Sequence, residues 1–222
     1  MLIEFDVADN IIAEKQLPIG EESKQALIEI RINLFYDESD LLATKMYIGE
    51  ISLGQWEESM KKAIRELHTA VLAITKGGWE NVTYQEWGRL GTPLREQYAF
   101  LHNFAQNISD NRDTMSLKMI QARSRLYGKA AWNTVYLFQA GPVLEKLLPW
   151  IPRDGSTQCL IGCMCRWEFQ ILSKNETTTK IRAVWKLCDA EHCPDCIGRK
   201  NHVEIIDVSS DVEIPEIVGM KC

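Results

Sequence analysis

Apolar side chains recur along this chain in three long rows with helical spacing, and only afterwards in short alternating runs. The first row is Leu53, Trp56, Met60, Ala63, Leu67, Ala70 and Ile74. Its alternating steps of three and four draw one stripe along about six turns of helix. Ser52 with Gln55 has the form of a capping box, and Gly77 and Gly78 have the form of a C-terminal stop. Lys61, Lys62, Arg65 and Glu66 lie off the stripe. Thr83 with Glu86 repeats the box ahead of the second row, Trp87, Leu90, Leu94, Tyr98, Leu101, Phe104 and Ile108, which Gly91 and Pro93 are expected to disturb. The stretch SDNRDT reads as a turn. A third helix is predicted from about residue 114 to 138, with Leu117, Ile120, Ser124, Tyr127, Ala131, Val135 and Phe138 on one face and Gly141–Pro142 at its end. Three such stripes must bury against one another, so Trp56, Tyr98 and Tyr127 read as packing residues.

The segment before these rows is ambiguous. Ile28, Ile30, Ile32, Leu34 and Tyr36 alternate as a strand would, yet ESKQAL opens with helix-forming composition, and helix is favoured. Asp37 to Asp40 has the makings of a cap for a new helix. After Asp154 the pattern changes. Residues 166–172 and 180–187 are rich in Trp, Phe, Ile and Val and flank the polar run SKNETTTK, which predicts a β-hairpin, and His202 to Val208 predicts a further strand. The fold class expected is therefore α+β: a mainly α-helical bundle followed by a small β-hairpin unit, with extended terminal arms. The divisions are an N-terminal arm over residues 1–20, a helical domain over 21–148, a β unit over 149–208 and a C-terminal tail over 209–222.

Composition narrows the function classes. A formal net charge of −6 gives no global reason to expect nucleic-acid binding. No apolar run approaches the roughly 20 residues of a membrane span, and the acidic N-terminus MLIEFDVADN is unlike a signal peptide, so a cytosolic origin is expected. His68 and His102 lie on predicted helices with no carboxylate pattern that would make either a base. Arg123, Arg125 and Lys129 read as a solvated face. There is no phosphate-binding glycine loop, no HExxH and no nucleophile elbow, and the chain is read as not an enzyme.

The concentrated chemistry is sulfur. Cys159, Cys163 and Cys165 form one cluster and Cys193 and Cys196, a CxxC around Pro194 and Asp195, form another about thirty residues on. Seven cysteines in such clusters resemble a metal site more than a secreted disulfide framework. A structural zinc knuckle is expected at the base of the hairpin, with Cys163, Cys165, Cys193 and Cys196 as ligands and Cys159 as an alternative. His192 can stand in for one of them, although adjacent ligands rarely converge. Cys188 reads as a core residue and Cys222 as a stray thiol. A hairpin of this size is marginal in water, and zinc would supply the missing folding free energy. Arg166, Arg182, Lys186, Arg199 and Lys200 near the cysteines keep a second function open, a zinc-dependent nucleic-acid-binding protein acting in DNA packaging.

Several tracts carry a resemblance. YIGEISLGQWEESMKKAIRELH, GGWENVTYQEWGRLG, LREQYAFLHNFAQNIS and ARSRLYGKAAW, then LPWIPRDGSTQCLIGCMCRWEF and WKLCDAEHCPDC, resemble in order and spacing the minor head proteins of tailed bacteriophages, the broad Mu F-like group of head morphogenesis proteins. The resemblance covers roughly residues 45–200. It implies a structural protein of the virion head, made in the host cytoplasm, present in multiple copies and partnered by phage capsid, portal or other head proteins.

Overall fold

Both capping boxes close. The computed structural model describes residues 21–154, 156–158, 163–188 and 191–219, so the arm expected over residues 1–20 lies outside the described residues. Helix α1 (Glu21–Tyr47) is followed by α2 (Leu53–Lys76), a 3-10 turn (Trp79–Asn81), α3 (Tyr84–Asp110) and α4 (Leu117–Leu147). At the start of α2 the Ser52 hydroxyl accepts from the Gln55 N–H and the Gln55 side chain accepts from the Ser52 N–H. Gly77 ends α2 in the left-handed conformation at φ 78°.

Thr83 and Glu86 repeat this exchange at α3. Here it is extended, because the Lys76 ammonium in the last turn of α2 lies 2.7 Å from the same carboxylate. Burial pushes the Glu86 carboxyl up, but hydrogen bonds from Lys76 and Thr83 outweigh it and leave the group below the usual carboxylate value. Replacing Thr83 by alanine removes the cap and one anchor of that carboxylate. It is expected to cost about 1–2 kcal/mol, read as a lower urea midpoint with an unchanged m-value; a midpoint equal to wild type would deny the cap that role.

Two expectations about helix breaks are corrected. Asp37 to Asp40 does not start a new helix: α1 runs unbroken, with the Ser39 hydroxyl donating to the Tyr36 carbonyl and Thr44 to that of Asp40. Pro93 lies inside a continuous α3. The missing N–H and the ring's crowding of the Arg89 carbonyl are outweighed by the stripe buried on either side. The break at Gly141 is where it was expected. Gly141 has φ 68° and ψ 169°, and Pro142 then reopens the helix, at a position where a missing N–H costs nothing, as far as Leu147.

The chain forms two compact units, Met1–Thr134 and Val135–Cys222, divided within α4. In the first, α2 packs against both α1 and α3. Trp56, fully buried, meets Phe104 edge-on at 5.7 Å, and every residue from Ala70 to Ile74 is buried, as a central helix requires. Tyr127 is buried and Tyr98 half-buried. α4 approaches α1 at Gly128, where an added Cβ would come 2.5 Å from the Tyr36 ring. Beside it, Arg125 grips the Asp40 carboxylate with both Nε and Nη2. Arg123 lies over the Phe104 ring at 4.3 Å and donates to Asn107. Two members of the basic group on α4 are thus engaged within the fold.

The second unit holds one antiparallel sheet in the order β3-β2-β1-β4, with β1 (Arg166–Lys174), β2 (Thr178–Lys186), β3 (Val203–Ser209) and β4 (Ile217–Gly219), and a short helix α5 (Pro194–Gly198) between β2 and β3. The hairpin and the third strand follow the sequence reading. The tail does not: β4 lies within the stretch read as a C-terminal tail, yet it pairs with β1 through Arg166, Trp167 and Glu168. A strand of three residues is too short for alternation to show. Trp167 and Trp185 are direct partners across the hairpin, both fully buried, with Trp150 stacked on the first.

Candidate metal centre

Cys165 directly precedes β1 and Cys196 lies on α5, eight residues past Cys188. Because Arg166 pairs with Lys186, the start of β1 and the end of β2 share one end of the hairpin, and the two cysteine clusters meet there. The sulfurs of Cys163, Cys165 and Cys196 lie within 4.8 Å of one another, and all three residues are buried. The Cys163–Cys196 separation is 3.8 Å. Four sulfurs arranged tetrahedrally at about 2.3 Å from a zinc ion stand about 3.8 Å apart, so this pair already spans one tetrahedral edge.

Neighbouring loops hold the trio. Asp154 accepts from the Ile151 and Ser156 N–H groups, each at 2.8 Å, folding the segment before the first cysteines into a tight turn. Arg153, in the left-handed region at φ 67°, donates from Nε to the Cys163 carbonyl at 2.9 Å and lays its guanidinium over the Tyr136 ring. Asp195, inside the CPDC turn, accepts from the Gln158 N–H at 2.8 Å, and Arg199 donates to the Ser156 hydroxyl and carbonyl while covering the Trp150 ring at 4.2 Å. The two cysteine loops are therefore stitched to each other by groups that are not themselves ligands. In the sequence Asp195 stands out only as part of the CxxC and Arg199 only as a basic residue near the cysteines; Arg153 carries no mark there.

Electrostatics divides the trio. Hydrogen bonds from the Cys165 and Cys196 side chains, and from the backbone at Cys165 and Arg153, hold the Cys163 thiol well below its usual value despite burial. Cys165 is pushed up, first by its hydrogen bond to Cys163 and then by burial. A soft cation held at the centre would replace this sharing with three thiolates.

The other expected ligands fare differently. Cys193 caps α5, its carbonyl accepting from the Ile197 N–H, and is half-buried; its sulfur does not fall within 4.8 Å of all three others. Cys159 and Cys222 lie outside the described residues. Cys188 is buried, as expected of a core residue, but it is also disulfide-bonded, and none of Cys163, Cys165, Cys193 and Cys196 is its partner. His192 places Nδ1 3.7 Å from the Cys165 sulfur.

Among the basic residues near the cysteines, Arg166 is paired with Glu168 at 2.6 Å and Arg199 is committed to Ser156 and Trp150. In the first unit His68 is fully buried, with Nδ1 2.6 Å from the Thr134 hydroxyl, and His102 meets Glu57 at 3.2 Å. Among the described residues no helix is long and apolar enough to cross a membrane. No family model, curated protein or solved structure matches the chain.

Proposed function

We propose that this chain is a non-enzymatic structural protein of a tailed-phage head, binding capsid, portal or other head proteins, with a structural zinc ion on Cys163, Cys165 and Cys196 clasping its sheet. The tracts that resemble minor head proteins supply the family side of this reading. The zinc side is supported by the donor set: three buried thiols, drawn from the two cysteine motifs and within 4.8 Å of one another, of which Cys163 and Cys196 stand a tetrahedral edge apart. A fourth protein ligand closes such a site, which suits a clasp and leaves no coordination position for a substrate.

One observation carries the assembly role. Helix α1 is apolar on two sides. Ile28, Ile32, Phe35, Ala43 and Met46 are buried, while Ile30, Leu34 and Leu41, with Ile48 just beyond the helix end, form a second row that is 39–65% exposed. A single buried stripe suffices to dock a helix into its own bundle. A second, exposed row spaced by four and seven residues is a surface for another chain. The engagement of Arg166 and Arg199 within the fold favours this reading over zinc-dependent DNA binding in packaging.

The test is quantitative protein analysis of purified particles. The chain is expected at a fixed copy number in mature heads; its absence from them would refute a structural place in the virion. Binding to DNA that falls steeply with salt would instead favour the packaging alternative.

A further inference from the structure

We infer that His192, through Nδ1, is the fourth ligand of the metal centre, in place of Cys193; the inference rests on the zinc reading above. His192 Nε2 stands 2.6 Å from the Cys188 carbonyl oxygen. A carbonyl only accepts, so Nε2 carries the ring proton and, in the neutral imidazole, Nδ1 is left with its lone pair. That lone pair is on the side of the Cys165 sulfur, at 3.7 Å. In a tetrahedral site with sulfur at about 2.3 Å and nitrogen at about 2.0–2.1 Å from zinc, a sulfur–nitrogen edge is about 3.6 Å. The trio thus has one edge of the right length between Cys163 and Cys196, and a second from Cys165 to His192.

A metal-binding histidine characteristically donates its other ring N–H to a backbone carbonyl or carboxylate, which fixes tautomer and orientation before the metal arrives. The Cys188 carbonyl does that here. Cys188 is buried and disulfide-bonded, so the acceptor sits on a held piece of backbone. Neither His192 Nδ1 nor the Cys193 sulfur falls within 4.8 Å of all three sulfurs, so either must move inward to complete the site. The ring already stands at a ligand edge from the Cys165 sulfur, with its tautomer set by the Cys188 carbonyl. Cys193 has its backbone fixed as the cap of α5. The two are adjacent in sequence, and one of them suffices.

The experiment is zinc X-ray absorption on the full chain, purified in reductant and loaded with zinc chloride. Three sulfur neighbours near 2.3 Å and one nitrogen near 2.0–2.1 Å are expected. Four sulfurs would overturn the inference and leave the zinc clasp standing, with Cys193 or Cys159 as the fourth ligand. Failure to retain zinc would overturn both. A competition titration against a chelator supplies the second measurement. Cys193→Ala is expected to hold zinc within a few-fold of wild type, whereas His192→Ala loses at least the roughly 10–100-fold that removal of even an outer-shell partner costs. The reverse order of the two variants would refute the assignment.

Discussion

Stripping zinc from the reduced chain is expected to melt the sheet while the helices of the first unit persist. Trp150, Trp167 and Trp185 contact one another at centroid distances of 5.3–5.8 Å, so loss of the sheet reads out as a collapse of the near-ultraviolet tryptophan signal and rapid amide exchange over Arg166–Lys186. The far-ultraviolet helical signal of α1 to α3 remains. The effect is concentrated where the sheet is least supported. β3 pairs with β2 over seven residues, but beside the cysteines β1 gains only the three paired residues of β4, and a small sheet is marginal in water. Structural zinc contributes an apparent ~10–16 kcal/mol in small metal-dependent domains, and a fraction of that exceeds what a unit of this size retains without it. Cys196→Ser should reproduce the chelated state in the presence of zinc. Reductant also opens the Cys188 disulfide, so a reduced, zinc-loaded sample is the reference. A tryptophan spectrum and exchange pattern unchanged by chelator against that reference would remove the clasp from the account.

Acid is expected to act on the other unit. His68 is fully buried, and desolvation lowers its imidazole to about 4 from an ordinary 6.5. Among the described residues its Nε2 has no hydrogen-bond partner, so nothing there rewards a proton. The folded state therefore prefers the neutral ring, while the unfolded chain takes up the proton near 6.5. Stability is full above that value, falls as the pH drops toward about 4, and stops falling below it; the whole loss is about 3 kcal/mol. Urea unfolding of wild type and His68→Gln at pH 7 and pH 4.5 measures it. The variant, with no titrating ring, should show a pH dependence smaller by about 2 kcal/mol over this interval, whatever its absolute stability. Equal pH dependence in the two would mean that His68 is solvated.

What the sequence made legible was what repeats. The stripes on α2, α3 and α4 each extend over many turns, and a misplaced residue is outvoted. Within them, Ile74, Ile108 and Phe138 are buried as the spacing demands. Capping boxes were readable because both partners lie three residues apart. The helix over Glu21–Tyr47 was hard to see because its apolar residues lie on two sides and mimic alternation. β4 was missed because its partner, β1, lies some fifty residues earlier and three residues carry no period. At the metal centre, Cys163, Cys165 and Cys196 came from spacing alone. The part of His192 was obscured by the rule that adjacent ligands rarely converge, which disfavours the pair without saying which member is excluded. The orienting roles of Arg153 and the Cys188 carbonyl are tertiary facts, set by backbone that no local pattern encodes.

The order of strands also sets an order in time. β1 and β2 are neighbours in sequence and can pair as soon as both are made, followed by α5 with Cys196 and then β3. The partner on the other side of β1 is the last strand among the described residues. Gly219, at φ 126°, lies so close that a Cβ there would come 2.5 Å from the Cys165 carbonyl oxygen, so this late arrival seals the backbone beside Cys165. During synthesis there is consequently an interval in which the thiol trio exists but the adjoining edge of β1 is bare. An edge in that condition accepts whichever strand reaches it first. A short closing strand on the same chain, present at high effective concentration, is the means by which the fold settles that competition in its own favour.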